Sequence, residues 1–277
     1  MNAAPLTDFS RLCVHTITTK PWPLAEAVKH YAAAGVKGIT VWRQALEGLD
    51  PAAAGRMIRE QGLTVVSLCR GGFFTAATAA GRREAVSDNL RCIELAAAVG
   101  APHIVLVCGA VPGQPLAESR RQIAEGIAAI APAAAAAGVR LAIEPLHPIY
   151  AADRSAINTI SQARAICRQI ASPWVGLALD VYHIWWDDAL EQEIAACGRE
   201  KSLFAFHVCD WKLTMLDPLN DRGLMGEGCI PLRQIRGWVE AAGFAGFHEV
   251  EIFSNLYWAG DQHSFLARIQ EAYLGSV

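Results

Sequence analysis

Short, nearly unbroken apolar runs alternate along the chain with longer stretches whose apolar residues recur at helical spacing. The runs are LCVHTITT (12–19), VKGITVWR (36–43), LTVVSLCR (63–70), HIVLVCG (103–109), VRLAIEP (139–145), VGLALDV (175–181), LFAFHVCD (203–210) and FHEVEIFS (247–254). Strands buried on both faces of a parallel sheet show such continuous hydrophobicity over so few residues. Between them, PLAEAVKHYAAAG (23–35), PAAAGRMIREQG (51–62), REAVSDNLRCIELAAAVG (83–100), LAESRRQIAEGIAAIAPAAAAAG (116–138), INTISQARAICRQI (157–170) and PLRQIRGWVEAAG (231–243) read as amphipathic, alanine-rich helices. Five of these stretches close on Gly35, Gly62, Gly100, Gly138 and Gly243, and the next run begins within a few residues. Glycine enters the left-handed conformation that ends many helices without steric penalty.

Helix, glycine, strand, repeated, is the grammar of βα units with short connections. Eight such units in 277 residues predict an α/β chain forming one (β/α)8 TIM barrel domain over 1–277. A doubly wound open sheet also holds eight strands, but its dinucleotide-binding version carries a GxGxxG turn after the first strand, and none is present there. The one long connection, from Trp211 to Ile230, is rich in glycine and reads as an ordered active-site loop.

Composition narrows the classes. Hydrophobic residues make up 53% and charged residues 18%, too apolar for a disordered chain. The net charge is −3, so no basic surface for a nucleic acid is expected. The N-terminus lacks the basic-then-apolar pattern of a secretion signal, and the alanine-rich stretch from Gly126 to Val139 is too short for a membrane span. Eight cysteines without a CxxC read as reduced thiols, and a cytoplasmic location follows as the expectation.

Four consecutive predicted strands end on ligand-type residues: Glu144, Asp180, His207 and Glu251. The active site of a TIM barrel forms at that end. Carboxylates placed among apolar strand residues need a partner, and three converging there would repel one another. A divalent cation removes the conflict. Three oxygen ligands and one imidazole suit Mn²⁺, Mg²⁺ or Co²⁺, with Zn²⁺ also compatible. Glu249 precedes Glu251 by two residues and, by strand alternation, faces the same side, so it rivals Glu251 as the eighth-strand ligand. His183, His147 and His15 are further candidates for the same bowl, as second partners or substrate contacts. Trp42, Trp185, Trp186, Trp211 and Trp258 lie near strand ends, where aromatic walls suit sugar-like rings.

From Val139 to Gly260, the motifs LAIEPLHP, LALDVYHIWWD, FHVCDW, DRGLMGEGCIPL and VEIFSNLYW resemble the xylose-isomerase-like sugar phosphate isomerase/epimerase superfamily. Within it the pattern is similar to keto-sugar 3-epimerases, inosose isomerases and dehydroshikimate dehydratases. The resemblance implies that Glu144, Asp180, His207 and Glu251 bind one divalent metal, often Mn²⁺. It implies that Glu144 and Glu251 act as the acid/base pair and that His183 and Arg222 contact substrate oxygens. The EIF segment and its aromatic tail favour Glu251 over Glu249. The extra histidines of the related three-metal DNA-repair endonucleases are absent from the third and fourth strand ends, Cys69–Arg70 and Cys108–Gly109. The expected activity is isomerisation or epimerisation of a ketose, inosose or related polyol by proton transfer through a metal-stabilised enediolate. Two alternatives share the ligands: a dehydratase of a cyclic hydroxy-ketone and a non-catalytic metal-containing sugar-binding barrel. A small polyol or keto-sugar is the expected partner, with neither nucleic acid nor membrane. Low charge content and many tryptophans favour a homodimer or homotetramer.

Overall fold

The computed structural model of the protein describes residues 3–277. Eight strands, β1 (Leu12–His15), β2 (Gly38–Trp42), β3 (Thr64–Gly72), β4 (His103–Val107), β5 (Arg140–Ile143), β6 (Val175–Asp180), β7 (Leu203–Val208) and β8 (His248–Val250), pair in sequence order, and β8 returns to β1. Every pairing is parallel. Around the barrel run α1 (Leu24–Ala33), α2 (Pro51–Glu60), α3 (Ala79–Val99), α4 (Leu116–Ala137), α5 (Ile160–Ile170), the single turn α6 (Val181–Ile184), α7 (Leu190–Arg199) and α8 (Leu232–Ala241). The chain ends in α9 (Asn255–Ala259) and α10 (Gln262–Ser276). The (β/α)8 barrel read from the hydrophobic pattern is therefore the fold. Among the described residues, no helix is long and apolar enough to cross a membrane.

The expected glycines do end helices. Gly100 and Gly138 cap α3 and α4 in the left-handed conformation, with φ of 88° and 68°. All the strands but β3, which extends to Gly72, are shorter than the apolar runs. The first run continues past β1, and there the Thr18 side chain replaces the backbone ladder. Its hydroxyl donates to the Val250 carbonyl and accepts from the Ile252 amide, both at 3.0 Å. Likewise Glu144 and Glu251 lie one residue beyond β5 and β8.

Strand alternation divides the buried residues into two populations. Ile143, Leu177, Leu179, Phe206 and Val208 join the large core between strands and helices. Trp42, Cys69, Val105, Ala142, Ala178 and Ala205 form a separate cluster inside the barrel. Two residues beyond the three alanines stand Glu144, Asp180 and His207, so they rise one layer above it on the inner face. Glu249 and Glu251 repeat that step on the last strand. The small alanine side chains leave room in the barrel centre for the imidazole and carboxylates overhead.

Candidate metal and proton-transfer site

The structure brings Glu144, Asp180, His207 and Glu251 together. One ligand atom from each lies within 4.8 Å of all the others, and all four residues are buried. Glu249 sits one layer lower. Its Oε2 accepts from the hydroxyls of Thr40 (2.6 Å) and Ser67 (2.9 Å), and His15 Nε2 lies 3.3 Å away. Burial opposes ionisation of Glu249, but the His15 contact and the charges of His207, His15 and His103 hold it down to about 2. Its Oε2 is thus engaged beneath the cluster, and in geometry Glu251, not Glu249, joins the other three.

The set fits a divalent ion. His207 Nδ1 is 3.2 Å from Glu144 Oε1, yet neither atom has an aligned hydrogen-bond partner. Two buried polar atoms that approach without bonding have the geometry of ligands aimed at a third point, and an unpartnered buried polar atom is otherwise costly. A carboxylate-rich set with one imidazole matches the harder divalent ions.

Charge balance tells the same story. Burial would lower the pKa of His207, but the surrounding Glu144, Glu249 and Glu251 raise it to about 10. Burial raises Asp180 to about 7, against the pull of Arg222. Arg222 Nη1 donates to Asp180 Oδ2 (2.8 Å) and Glu251 Oε2 (2.9 Å). It reaches them from the long connection after β7, so that loop contributes to the cluster. The Asp210 carboxylate anchors that loop by accepting the amides of Trp211, Gly226 and Ile230 at 2.8–3.0 Å. Gly226–Glu227–Gly228 is loop geometry rather than a phosphate cradle, because Glu227 caps the Leu224 amide and meets the Tyr257 hydroxyl.

A cavity of about 210 Å³ opens above the cluster. Drug-sized sites run to ~300–1,000 Å³, so this one suits a small molecule. Glu144, Glu251, His183, Arg222 and Trp42 line it, whereas Asp180 and His207 lie beneath at 0% exposure. His183 Nε2 is 3.3 Å from Arg222 Nη2, and burial, reinforced by the Arg222 charge, drives its pKa well below the ordinary value. A neutral imidazole facing a guanidinium must accept at Nε2, which leaves the proton on Nδ1. That atom has no partner.

Two sequence candidates stand elsewhere. His15 lies behind Glu251, with Nδ1 3.1 Å from Glu251 Oε1 and 3.2 Å from the Trp42 indole nitrogen, and does not line the cavity. It contacts the site's carboxylates rather than the space above them. His147 turns outward at the start of a short helical turn (Pro148–Tyr150) and packs against Trp211 at 4.8 Å. Tyr150, on the same turn, lines the cavity in its place. Of the five tryptophans noted, Trp42 alone lines it. Trp211 packs tilted against Tyr182 (4.7 Å), which bears on Arg222 (4.4 Å), so that tryptophan acts from behind. Sequence reasoning missed the lining residues Arg70 and Arg154. Arg70 stands near the end of β3, where the strand-end rule applied to the last four strands would have found it; Arg154 carries no such signal.

The model of the xylose isomerase-like TIM barrel family matches residues 28–269. The chain belongs to that family. An inosose isomerase from Halalkalibacterium halodurans is 25% identical over 190 residues, covering 67% of this chain and 65% of that enzyme. The chain thus spans just under two thirds of the length of that curated relative. A crystal structure of a Sinorhizobium meliloti 1021 protein is 45% identical, covers 96% of this chain and 98% of its own, and superposes with a TM-score of 0.93. The fold is shared with the IolI protein, solved with a zinc atom bound, at 20% identity, 95% and 96% coverage and a TM-score of 0.83.

Proposed function

We propose that the protein is a divalent-metal-dependent isomerase or epimerase of a small polyhydroxy ketone, a ketose or an inosose. One observation carries the reading: of the four clustered residues, the two that reach the cavity are Glu144 and Glu251, both carboxylates able to move a proton. Glu144, Asp180, His207 and Glu251 would hold the ion, with Mn²⁺ the first choice. Bound there, the ion supplies a Lewis acid that acidifies the C–H beside a ketone.

The chain's own residues do the rest. Glu144 or Glu251 removes the proton, and the other carboxylate returns one at the same or the adjacent carbon. Arg222 orients Glu251 through its 2.9 Å bond and, through its bond to Asp180, opposes the burial that raises that carboxyl's pKa. His183 offers its free Nδ1 proton to a substrate oxygen. Trp42 and Phe253 form an apolar wall, edge to face at 5.2 Å, on which the carbon face of a sugar rests and from which water is excluded. The likeness to an inosose isomerase supports a cyclic polyhydroxy ketone among the substrates.

The test is a substitution series read by solvent exchange. In the metal-loaded protein, Glu144→Gln and Glu251→Gln should each slow deuterium uptake into a ketose or inosose by ~10²–10⁴-fold, the usual contribution of a positioned acid or base. Undiminished uptake in either variant removes that residue from the proton path.

A further inference from the structure

Arg70 and Arg154 are the two charged cavity residues that the proton-transfer reading does not use. Arg70 comes from β3 and Arg154 from the loop after β5, so two distant segments deliver guanidinium groups to one wall. Several arginines elsewhere on the barrel are engaged by carboxylates, and others by backbone carbonyls, such as Arg120 on the Ala156 carbonyl at 2.9 Å. Arg43 grips Asp88 with two bonds of 2.8 and 2.9 Å, Arg121 holds Glu118 and Glu125, and Arg164 holds Glu193 and Glu200. Neither Arg70 nor Arg154 has a carboxylate within 4.0 Å among the described residues. Each instead lies over an aromatic ring, Arg70 on Phe73 at 4.3 Å and Arg154 on Tyr150 at 5.8 Å.

The two also feel each other. Burial lowers the pKa of Arg70, the Arg154 charge lowers it further, and Glu144 pulls the other way. Like charges held together in a partly buried wall are unfavourable unless something anionic completes them. Their aromatic supports fix the guanidinium planes without neutralising them, which preserves the planar fork for a ligand. Arg222, the third cavity arginine, is already committed to Asp180 and Glu251. With a divalent ion on the four ligands, its charge and three arginines face three carboxylates, an excess of two positive charges around a small cavity.

We propose that the substrate bears an anionic group, a carboxylate or a phosphate, which Arg70 and Arg154 clamp within the cavity. This rests on the isomerase reading for the identity of the reacting end and narrows its substrate class to sugar acids or sugar phosphates. Binding energy from the remote anion then orients the ketone over Glu144 and Glu251. No group is transferred at the arginine end.

Two readouts on the Mn²⁺-loaded protein separate the claims. Calorimetric titration with inorganic phosphate and with acetate measures the clamp, and the tighter probe distinguishes phosphate from carboxylate. Arg70→Gln and Arg154→Gln should each weaken that probe by about tenfold or more, the effect of losing a charge-assisted bond. Arg154→Lys, which keeps the charge and loses the fork, should fall between. Deuterium uptake is followed in parallel with D-fructose, D-fructose 6-phosphate and 2-keto-D-gluconate, and the anionic ketoses should exchange faster. Equal probe affinity in wild type and both Gln variants overturns the clamp, because the ion alone would then hold the anion. Uptake confined to neutral D-fructose also overturns it and leaves the isomerase reading standing. Arginine-dependent binding without uptake into any ketose keeps the clamp and removes the isomerase reading.

Discussion

Glu249 and Glu251 show how two residues of spacing separate a carboxylate bound beneath the cluster from one that lines the cavity. Both point inward from the last strand, but Glu249 meets Thr40 and Ser67 hydroxyls while Glu251 meets Arg222 and the cavity. Spacing made them rivals because it reports the face and not the layer. The layer is set by Thr40 and Ser67 on β2 and β3, which supply donors only at the lower level. His248, one residue earlier and facing the helices, makes a separate prediction. Burial, aided by Arg11 and Arg236, lowers its pKa to about 3. Glu240 stands 3.6 Å from its Nε2 but is already held by Arg11 at 2.7 Å. The unfolded chain binds a proton near pH 6.5 and the folded one does not, so this residue reduces stability as pH falls from about 6.5 toward 3. The slope it contributes approaches ~1.4 kcal/mol per pH unit. Denaturant unfolding of His248→Gln between pH 7 and 4.5 should show a shallower acid slope than the wild type; parallel slopes would rule out that source. (The pH limits bracket the roughly 6.5 reference value.)

At the scale of elements, the hydrophobic pattern made strands and helices legible because every βα unit repeats one solution to burying a parallel strand. The ends of strands were less legible, since at the barrel rim side chains such as Thr18 take over the hydrogen bonds. Close helix packing was not legible at all. Gly126 on α4 lies against the ring of Phe74, and a Cβ there would overlap it. Phe74 is buried and follows β3, so the contact ties α4 to the strand that delivers Arg70. Gly126→Ala should therefore lose ~1–3 kcal/mol of stability from overpacking despite its better helix propensity. A rise in melting temperature would show that the ring moves aside freely. Arg154 was hidden for a different reason. It stands in AADRSA, a loop without periodicity, and only the tertiary path after Tyr150 brings it to the cavity.

For the whole molecule, the barrel gathers in one layer four groups separated along the chain by successive steps of 36, 27 and 44 residues, from Glu144 to Asp180, to His207 and to Glu251. Gathering them concentrates negative charge at a buried point, which Arg222 relieves only in part. Ion binding should stabilise the fold accordingly. At a free concentration about a hundred times its dissociation constant, an ion contributes ~2.7 kcal/mol, so chelation should lower the melting temperature by roughly 5–10 °C. Asp180→Asn should remove most of that difference, and a chelator that leaves the wild-type melting curve unchanged would argue against a bound ion.

The most direct measurement is deuterium uptake from D₂O at the carbon beside the ketone of ketoses and inososes, with and without the ion. Uptake by the metal-loaded protein, lost on chelation and restored by Mn²⁺, is the result expected of a metal-dependent proton transfer at Glu144 and Glu251. Binding of those ketones with no uptake in the loaded protein, or uptake indifferent to chelation, would contradict it.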